Sequence, residues 1–153
     1  MSALVLNRTD SRNPDFMALV ALLDADLAER DGEDNKFYAQ YNGIDALKHA
    51  VVAYWDGNAI ACRALKPFDL KAMEVKRMYV MPAFRGKAIA TRILMELENW
   101  AQELHFEHCV LETGKRQPEA IDLYQKNGYM IIPNYGPYQG IDNSVCFQKN
   151  VSF

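Results

Sequence analysis

Three stretches of the chain repeat apolar residues at intervals of three and four positions, which is the spacing of one face of a helix. The first extends from Phe16 to Leu27, the second from Gly86 to about Phe106, and the third from Pro118 to the stop signal Asn127-Gly128. The segment from Lys36 to His49 has a weaker pattern, and a short helix ending in an aromatic stretch stays open there. The pattern therefore predicts three helices and leaves a fourth open.

Shorter apolar runs, rich in branched and aromatic residues, predict strands between these helices. The predicted strands are Ala3 to Leu6, Ala50 to Trp55, Ala59 to Leu65, Met73 to Met81, Cys109 to Thr113, Tyr129 to Ile132 and Val145 to Gln148. The triplet Asp56-Gly57-Asn58 is a strong hairpin signal, because Gly readily takes positive φ. After Val75 the apolar parity slips by one, which predicts a β-bulge near Lys76 and Arg77.

The order of these elements predicts the fold class. Strand, helix, a run of strands, helix, strand, helix and strands is typical of a mixed α/β (α+β) sheet with helices packed on its faces. The strand, helix and strand between Met73 and Thr113 would form a right-handed parallel crossover. A chain of 153 residues without an internal repeat or a low-complexity linker is the size of one compact domain. We therefore expect a single domain over residues 1–153.

Charge and composition narrow the function classes. The 17 basic and 20 acidic residues give a formal charge of −3, which has the wrong sign for binding that depends on neutralising nucleic-acid phosphates. No window approaches the ~20 apolar residues of a membrane span, and Met1 to Asp10 lack the pattern of a leader. We therefore expect a cytoplasmic protein whose partners are neither nucleic acid nor membrane.

The cysteines and histidines do not form the pattern of a metal site. Cys62, Cys109 and Cys146 are widely spaced, odd in number and include no CxxC pair, and the histidines share no ligand spacing. We expect reduced thiols in the core or at its margin, and no metal.

One segment carries a charge opposite to that of the chain. Between Val75 and Met95 there are five basic residues and no acid, at the point where a strand passes through a short turn into the longest predicted helix. The five are Lys76, Arg77, Arg85, Lys87 and Arg92. Free amides and the helix dipole at such a helix start favour an anion, and Gly86 allows close approach to the backbone. A solvated helix start is the simpler alternative, but basic residues there oppose the dipole. We favour a phosphate or pyrophosphate site.

Two motifs in this part of the chain resemble a known family. The strand followed by Pro82-x-x-Arg85-Gly86-x-Ala88-x-Ala90 resembles the acetyl-CoA-binding motif of the GNAT superfamily of N-acyltransferases, Arg/Gln-x-x-Gly-x-Gly/Ala. The segment Ala120-Ile-x-Leu-Tyr124-x-Lys-x-Gly128-Tyr129 resembles the second signature of the family. The resemblance covers roughly Ala50 to the end. It implies a GNAT-like fold, with a central mixed sheet of six to seven strands and about four helices, splayed at the acetyl-CoA cleft.

The resemblance implies acetyl-CoA as cosubstrate and places it on named residues. Backbone amides from Arg85 to Ala90 would cradle the pyrophosphate, the pantetheine arm would pair with Met78 to Val80 like an added strand, and the thioester carbonyl would face the Val80 amide. The expected cofactor-binding residues are Met78, Tyr79, Val80, Arg85, Gly86, Lys87, Ala88, Ile89, Ala90, Gln117 and Tyr124.

Two residues match the catalytic positions of the family. Chemistry there is direct attack of an amine on the thioester, which needs a proton donor for the thiolate and an acceptor for the amine proton. Tyr124 matches the donor, with a core tyrosine as the alternative interpretation. Glu74 matches the base, acting directly or through water, with a solvated strand carboxylate as the alternative.

The chain departs from the family pattern at two positions. Ala88 replaces the central Gly of the phosphate loop, which puts the affinity for the cofactor in question, and Gln117 stands where Asn is common. The aromatic loop from Asn134 to Tyr138 could wall the acceptor pocket or only order a long turn. The acidic stretch from Asp24 to Asp34 is either a solvated helix end or a collar for cationic acceptors.

The sequence thus predicts an acetyl-CoA-dependent N-acetyltransferase, and its acceptor would be a primary amine of a small molecule or peptide. The alternative is a CoA-binding sensor or interaction module without turnover, and a phosphate-binding protein unrelated to CoA is more remote. A homodimer stays open as the assembly.

Overall fold

The computed structural model describes residues 3–31 and 47–152. Seven strands lie in these ranges: β1 (Leu4–Thr9), β2 (His49–Trp55), β3 (Asn58–Pro67), β4 (Ala72–Val80), β5 (His108–Gly114), β6 (Met130–Ile132) and β7 (Ser144–Asn150). The same ranges contain three α-helices: α1 (Pro14–Asp31), α2 (Ile89–Glu103) and α3 (Pro118–Lys126).

The strands form one mixed sheet in the order β1-β2-β3-β4-β5-β7-β6. Neighbouring strands are antiparallel except β4 and β5, which are parallel and are joined through α2. This confirms the predicted fold class and the parallel pairing of the crossover. The fourth helix, considered for Lys36 to His49, lies outside the described residues except at its end, where His49 opens β2.

Helices cover both faces of the sheet, and each face has its own core. The face under α2 and α3 carries the larger cluster of buried side chains, which includes Leu65, Met73, Ile93, Leu97, Leu111 and Phe147. The face under α1 carries a second cluster, which includes Phe16, Leu19, Val52, Cys62 and Tyr79. Alternation along β3 and β4 supplies both clusters, so residues of one strand divide between the two sides.

Two local irregularities predicted from the sequence are present. Asp56 and Gly57 connect β2 to β3 with φ of +50° and +85°, as a two-residue hairpin turn with two positive φ angles requires. Between β3 and β4 the register jumps, so that residues 77 and 78 together face Arg63 alone. This confirms the bulge expected near Lys76 and Arg77.

The parallel contact between β4 and β5 is short. Only three pairs join the strands, from Ala72 opposite His108 to Glu74 opposite Val110. Beyond Glu74, β4 continues to Val80 without pairing with β5, and the antiparallel partner β3 follows it through the bulge. The sheet is therefore splayed between the ends of these two strands, as the family resemblance implies.

Several element boundaries differ from the sequence predictions, including those of the first helix, which is Pro14–Asp31 rather than Phe16 to Leu27. The long helix begins at Ile89 rather than Gly86, because Gly86 and Ala88 have positive φ, and it ends at Glu103 rather than near Phe106. Its end coincides with a third positive φ, +69° at His105. The first strand is longer than expected and continues to Thr9, since all six of its residues pair with β2.

All three cysteines are buried and unbridged, as the sequence analysis expected. Burial raises the pKa of the Cys109 thiol to about 12 and that of Cys146 to about 11. Both thiols are therefore protonated at neutral pH, and we assign them to packing.

The described part of the chain contains no group of three or more His, Cys, Asp or Glu residues suited to a metal ion. None of the helices in it is long and apolar enough to cross a membrane.

Candidate active site

A cleft of about 320 Å³ opens where β4 and β5 separate. Its walls come from the end of β4, the turn that follows it, the first turn of α2 and the N-terminal half of α3. Two residues of α1, Leu23 and Asp26, border it from the other side of the sheet. The cleft therefore lies at the turn where the sequence predicts an anion site.

The turn before α2 leaves the start of that helix open to a ligand. The first helical hydrogen bond runs from the Arg92 amide to the Ala88 carbonyl (3.1 Å), so the earlier amides of this turn have no helical partner. Ala88 occupies the N-cap position without a capping side chain, and no acidic residue stands in the first turn. The positive end of the helix dipole therefore faces the cleft without a compensating charge from its own first turn.

Arg85 fixes this turn to the end of β4. Its Nε donates to the Val80 carbonyl (2.8 Å), and its guanidinium lies over the Tyr79 ring, 5.6 Å from the centroid. These contacts hold a positive charge beside the cleft in a defined position. Gly86 follows with φ of +78°, and a methyl added there would meet no atom within 4 Å. Glycine is therefore used at this position for its backbone conformation, which L residues adopt only with strain.

At the edge of β4, the backbone amide of Val80 points to the cleft, while its carbonyl accepts the hydrogen bond from Arg85. Val80 lies opposite Ala61, and the adjacent hydrogen bond runs from the Met81 amide to the Ile60 carbonyl (2.8 Å). This is the pattern of a non-hydrogen-bonded antiparallel pair, in which the amide and carbonyl of Val80 point away from β3. Since the pairing with β5 stops at Glu74, the Val80 amide faces the opening.

The cleft brings together most of the residues predicted for the cofactor. Its lining includes Met78, Tyr79, Val80, Arg85, Gly86, Ala88, Ile89, Ala90 and Gln117, whereas Lys87 and Tyr124 are not part of it. Sequence reasoning missed other lining residues, namely Leu23, Asp26, Phe84, Thr91, Glu119, Ala120 and Leu123. Phe84, Ala120 and Leu123 lie inside the two family motifs, where the signal for them was available. Leu23 and Asp26 reach the cleft only through the packing of α1.

Tyr124 lies in the core directly behind the cleft. Its side chain is 4% exposed, and its ring packs against Tyr129 and Phe147 with centroids 5.9 and 5.6 Å apart. The hydroxyl accepts a hydrogen bond from Nη2 of Arg63 (2.5 Å). Ala120, one helical turn earlier on the same face of α3, lines the cleft. Tyr124 thus has the packing of a core tyrosine and a position one turn deeper than the cleft wall.

Glu74 is a buried carboxylate rather than a solvated one. It is 9% exposed, and Oε2 accepts a hydrogen bond from the Tyr135 hydroxyl (2.7 Å), while Oε1 lies 3.7 Å from Nζ of Lys76. Burial, and then the neighbouring Glu74 charge, raise the pKa of Tyr135, so its phenol stays protonated and donates to the carboxylate. The alternative interpretation of an exposed strand carboxylate is therefore wrong.

The aromatic loop contacts Glu74 and the β3–β4 turn. The Tyr135 ring meets Phe68 edge-on with centroids 4.8 Å apart and packs against Tyr138 at 5.8 Å. Tyr138 is buried, whereas Phe68 is 42% exposed, so this aromatic cluster extends from the core to the surface. These contacts place the loop beside Glu74, and a wall of the acceptor pocket at this loop stays a prediction. Of the acidic stretch from Asp24 to Asp34, only the part up to residue 31 is described, and Asp26 borders the cleft.

Ala88 has the left-handed conformation that favours glycine, with φ of +61° and ψ of +18°. An L residue is strained there by roughly 1–2 kcal/mol, partly offset by the higher chain entropy of unfolded glycine. Ala88→Gly should therefore raise the melting temperature by about 2–4 °C and tighten the CoA binding that the family resemblance implies, because the methyl borders the cleft. Calorimetric melting and CoA titration measure both effects. As a control, Ala90→Gly, inside the helix, should lower stability by about 1 kcal/mol. A lower melting temperature for Ala88→Gly would contradict the assignment of strain.

Comparisons with known proteins agree with this geometry. The profile of the acetyltransferase (GNAT) family matches residues 16–129. An IAA acetyltransferase of Azospirillum brasilense is 37% identical over 101 residues, which are 65% of this chain and 65% of that protein. A Klebsiella pneumoniae structure, assigned as an acyl-CoA N-acyltransferase, has a TM-score of 0.81 at 27% identity over 97% of both chains. A GNAT family acetyltransferase of Elizabethkingia anophelis with acetyl-CoA bound has a TM-score of 0.68 at 17% identity, over 96% of this chain and 97% of that one.

The family profile spans well over half of the chain, including the cleft and both motifs. The chain therefore belongs to the GNAT acetyltransferase family. The match with the Azospirillum relative spans 65% of that protein's length, and the likeness to the Elizabethkingia structure is one of fold.

Proposed function

We propose that the protein is an N-acetyltransferase that moves the acetyl group of acetyl-CoA to a primary amine of a small molecule or peptide. The observation that carries this proposal is the uncapped start of α2, which opens with a basic turn onto the gap between β4 and β5. A helix start of this kind binds phosphate, and a gap between strands accepts an extended chain. Acetyl-CoA combines both features in one molecule.

The pyrophosphate of acetyl-CoA would bind at the turn formed by residues 85–90. Amides without helical partners would donate to its oxygens, and Arg85, held by the Val80 carbonyl, would add a fixed positive charge. The described first turn of α2 carries no acidic side chain, and the two carboxylates that line the cleft, Asp26 and Glu119, come from α1 and α3. Gln117, at the start of α3 and without a capping hydrogen bond there, borders the same cleft and can donate to the cofactor.

The pantetheine arm would continue along the free edge of β4. Its amides would pair with backbone groups around Met78 and Val80, as an added strand does. The acetyl carbonyl would then lie at the Val80 amide, which faces the opening. A single amide donor at a developing oxyanion contributes about 10²- to 10³-fold in rate in other enzymes.

The amine would approach from the side of the sheet that carries Glu74 and the aromatic loop. Its nitrogen attacks the thioester carbon, the C–S bond breaks, and the departing thiolate takes a proton from Tyr124. Glu74 would take the proton that the amine loses, directly or through water.

The cytoplasm, where acetyl-CoA is available, is the compartment we propose for this reaction. A homodimer is the assembly to compare with a monomer in solution.

The test is an acetyl-CoA turnover screen against a panel of primary amines, with released thiol as the readout. The panel should contain polyamines, amino acids, aromatic amines and peptides with free N-termini. Amine-dependent release of thiol, with acetylated amine found by mass spectrometry, would establish the reaction. Release of thiol without acetylated amine would indicate hydrolysis.

Glu74→Gln should lower turnover by about 10²-fold, because it keeps the shape of the side chain and removes its basicity. The dependence of the rate on pH should change as well, since the variant must lose the amine proton to water. Steady-state rates over a range of pH measure both effects. Tyr135→Phe is the matched control, because it removes the hydrogen bond to Glu74 (2.7 Å) and keeps the carboxylate. Equal losses of turnover in the two variants would show that the reaction depends on the hydrogen bond between Tyr135 and Glu74 and not on the basicity of Glu74.

Ala88 favours one second candidate, a CoA-binding sensor without turnover. Its methyl borders the cleft at the position where the family motif has glycine. The sensor would bind CoA and stabilise the folded state by ~2.7 kcal/mol at 100 times the dissociation constant, as the enzyme would. Only the sensor would show this stabilisation together with no turnover for every amine in the screen.

A further inference from the structure

A buried arginine stands behind the cleft, and no described residue forms an ion pair with it. Arg63 on β3 is 2% exposed, and its Nη2 donates to the Tyr124 hydroxyl. Its Nε and Nη1 have no hydrogen-bond partner in the described part of the chain, which also contains no ion pair of Arg63. The guanidinium carbon lies 5.0 Å from the centroid of the Tyr124 ring. Tyr124 is therefore the one group in the described chain to which this charge donates.

The position of Arg63 connects it to the opening of the sheet. It lies opposite the bulge formed by residues 77 and 78 of β4, and Met78 lines the cleft. From β3 its side chain must cross the face of β4 to reach Tyr124, which packs over Phe147 of β7. Arg63 therefore lies opposite the part of β4 that does not pair with β5.

Folding stability does not explain this arrangement. A buried charge without a counter-ion destabilises the folded state, and a hydrophobic replacement is often neutral or stabilising. The buried carboxylate of the same core, Glu98, is bonded to the Tyr129 hydroxyl (3.0 Å) and to Nζ of Lys149 (2.9 Å). Arg63 is thus a cation in the core that, among the described residues, donates to a phenol alone.

We propose that Arg63 is a positioning residue for the reaction, which acts through Tyr124. This rests on the proposed function. Because the Tyr124 oxygen accepts the Nη2–H bond, its own proton is directed away from Arg63 and is free for another acceptor. A departing thiolate in the opening between β4 and β5 would be that acceptor.

The proton transfer leaves a negative charge that Arg63 can offset. The C–S bond breaks, the electron pair stays on sulfur, and the Tyr124 O–H proton moves to the thiolate to give the free thiol of CoA. The phenolate that remains faces the guanidinium, where a charge-assisted hydrogen bond stabilises it. A proton from water then restores the phenol, while the amine proton leaves through Glu74 or water.

A double-mutant cycle on Arg63 and Tyr124 tests this coupling. Arg63→Met removes the charge and keeps an unbranched, flexible side chain, and Arg63→Lys keeps a charge. Both are compared with Tyr124→Phe and with the double variant. We expect Arg63→Met to lower kcat at least tenfold, with CoA dissociation constant and melting temperature unchanged or improved. Arg63→Lys should recover part of that loss. In the Tyr124→Phe background the further loss from Arg63→Met should be less than twofold.

Lys149→Met is the matched control for removing a cation from the same core. It breaks the 2.9 Å contact with Glu98 and should lower the melting temperature while leaving kcat per folded molecule unchanged. If the losses of kcat from Arg63→Met and Tyr124→Phe multiply in the double variant, or if Arg63→Met lowers only the melting temperature, Arg63 has a structural role. The inference about Arg63 is then wrong, while the proposed function still holds. If the wild-type protein acetylates no amine, the proposed function fails and the inference with it.

Discussion

Replacing Tyr124 by phenylalanine should lower turnover by about 10²- to 10⁴-fold, the range typical of a lost general acid. The hydroxyl is the only part of the side chain removed, and the ring keeps its contacts with Tyr129 and Phe147. CoA binding should change little, because Tyr124 is not part of the cleft lining. Steady-state kinetics with the best amine from the screen, together with a CoA titration, measure the two effects.

Tyr129→Phe is the control for this prediction. Tyr129 lies in the same core, and its hydroxyl donates to Glu98 (3.0 Å) instead of facing Arg63. Its removal should cost about 1 kcal/mol of stability and leave turnover per folded molecule unchanged. If Tyr124→Phe behaves in the same way, with lower stability and retained turnover, Tyr124 is a core tyrosine and solvent protonates the thiolate.

Replacing Ala88 by aspartate should weaken CoA binding by about 10²- to 10³-fold. The new carboxylate would stand at the N-cap of α2, where the pyrophosphate is proposed to bind, and two like charges about 4 Å apart repel by ~4 kcal/mol near a protein surface. The fold should tolerate the change, because aspartate adopts positive φ more readily than alanine and suits a helix start. Isothermal titration with CoA, at low and at high salt, measures the loss and its ionic origin.

Ala88→Asn separates charge from shape. Asparagine is nearly isosteric with aspartate, adopts positive φ equally well and carries no charge. We expect its CoA affinity to lie within about fivefold of the wild type, on the scale of one neutral hydrogen bond. Equal weakening by both variants would show that the side chain blocks the cleft sterically. Unchanged binding by both would move the pyrophosphate away from this turn.

The elements of the fold were predictable because their signals are local. Helical periodicity located α2 and α3, the Asp56-Gly57 pair located the hairpin, and a single slip of parity located the bulge in β4. The start of α2 was misplaced by three residues because alanine is the strongest helix former, and no pattern marks an alanine with φ of +61°. Only the surrounding structure imposes that conformation.

The site was predictable where one segment supplies it and not where distant segments meet. The basic residues and the glycine of the turn before α2 stand within a single stretch of sequence, and they indicate an anion site there. Nothing in the local sequence marks Arg63 as a buried arginine, because its partner Tyr124 is 61 positions away. Glu74 was selected by its match to a family position, but its hydrogen bond with Tyr135, which is also 61 positions distant, has no signal in the sequence. Contacts of this kind follow from the topology of the sheet.

The three-pair contact between β4 and β5 has a consequence for the reaction cycle. In the described sheet it is the only strand pairing that joins β1–β4 to the group β5-β7-β6. Most contacts between these two parts of the sheet are therefore made through the helices and the buried side chains beneath them. A pantetheine arm paired with the free edge of β4 would act as a temporary strand of the sheet. Release of CoA would then require the breaking of sheet hydrogen bonds one after another, as in local unfolding of an edge. The lifetime of the product complex, rather than acetyl transfer, would accordingly be the quantity most sensitive to the backbone of Met78 and Val80.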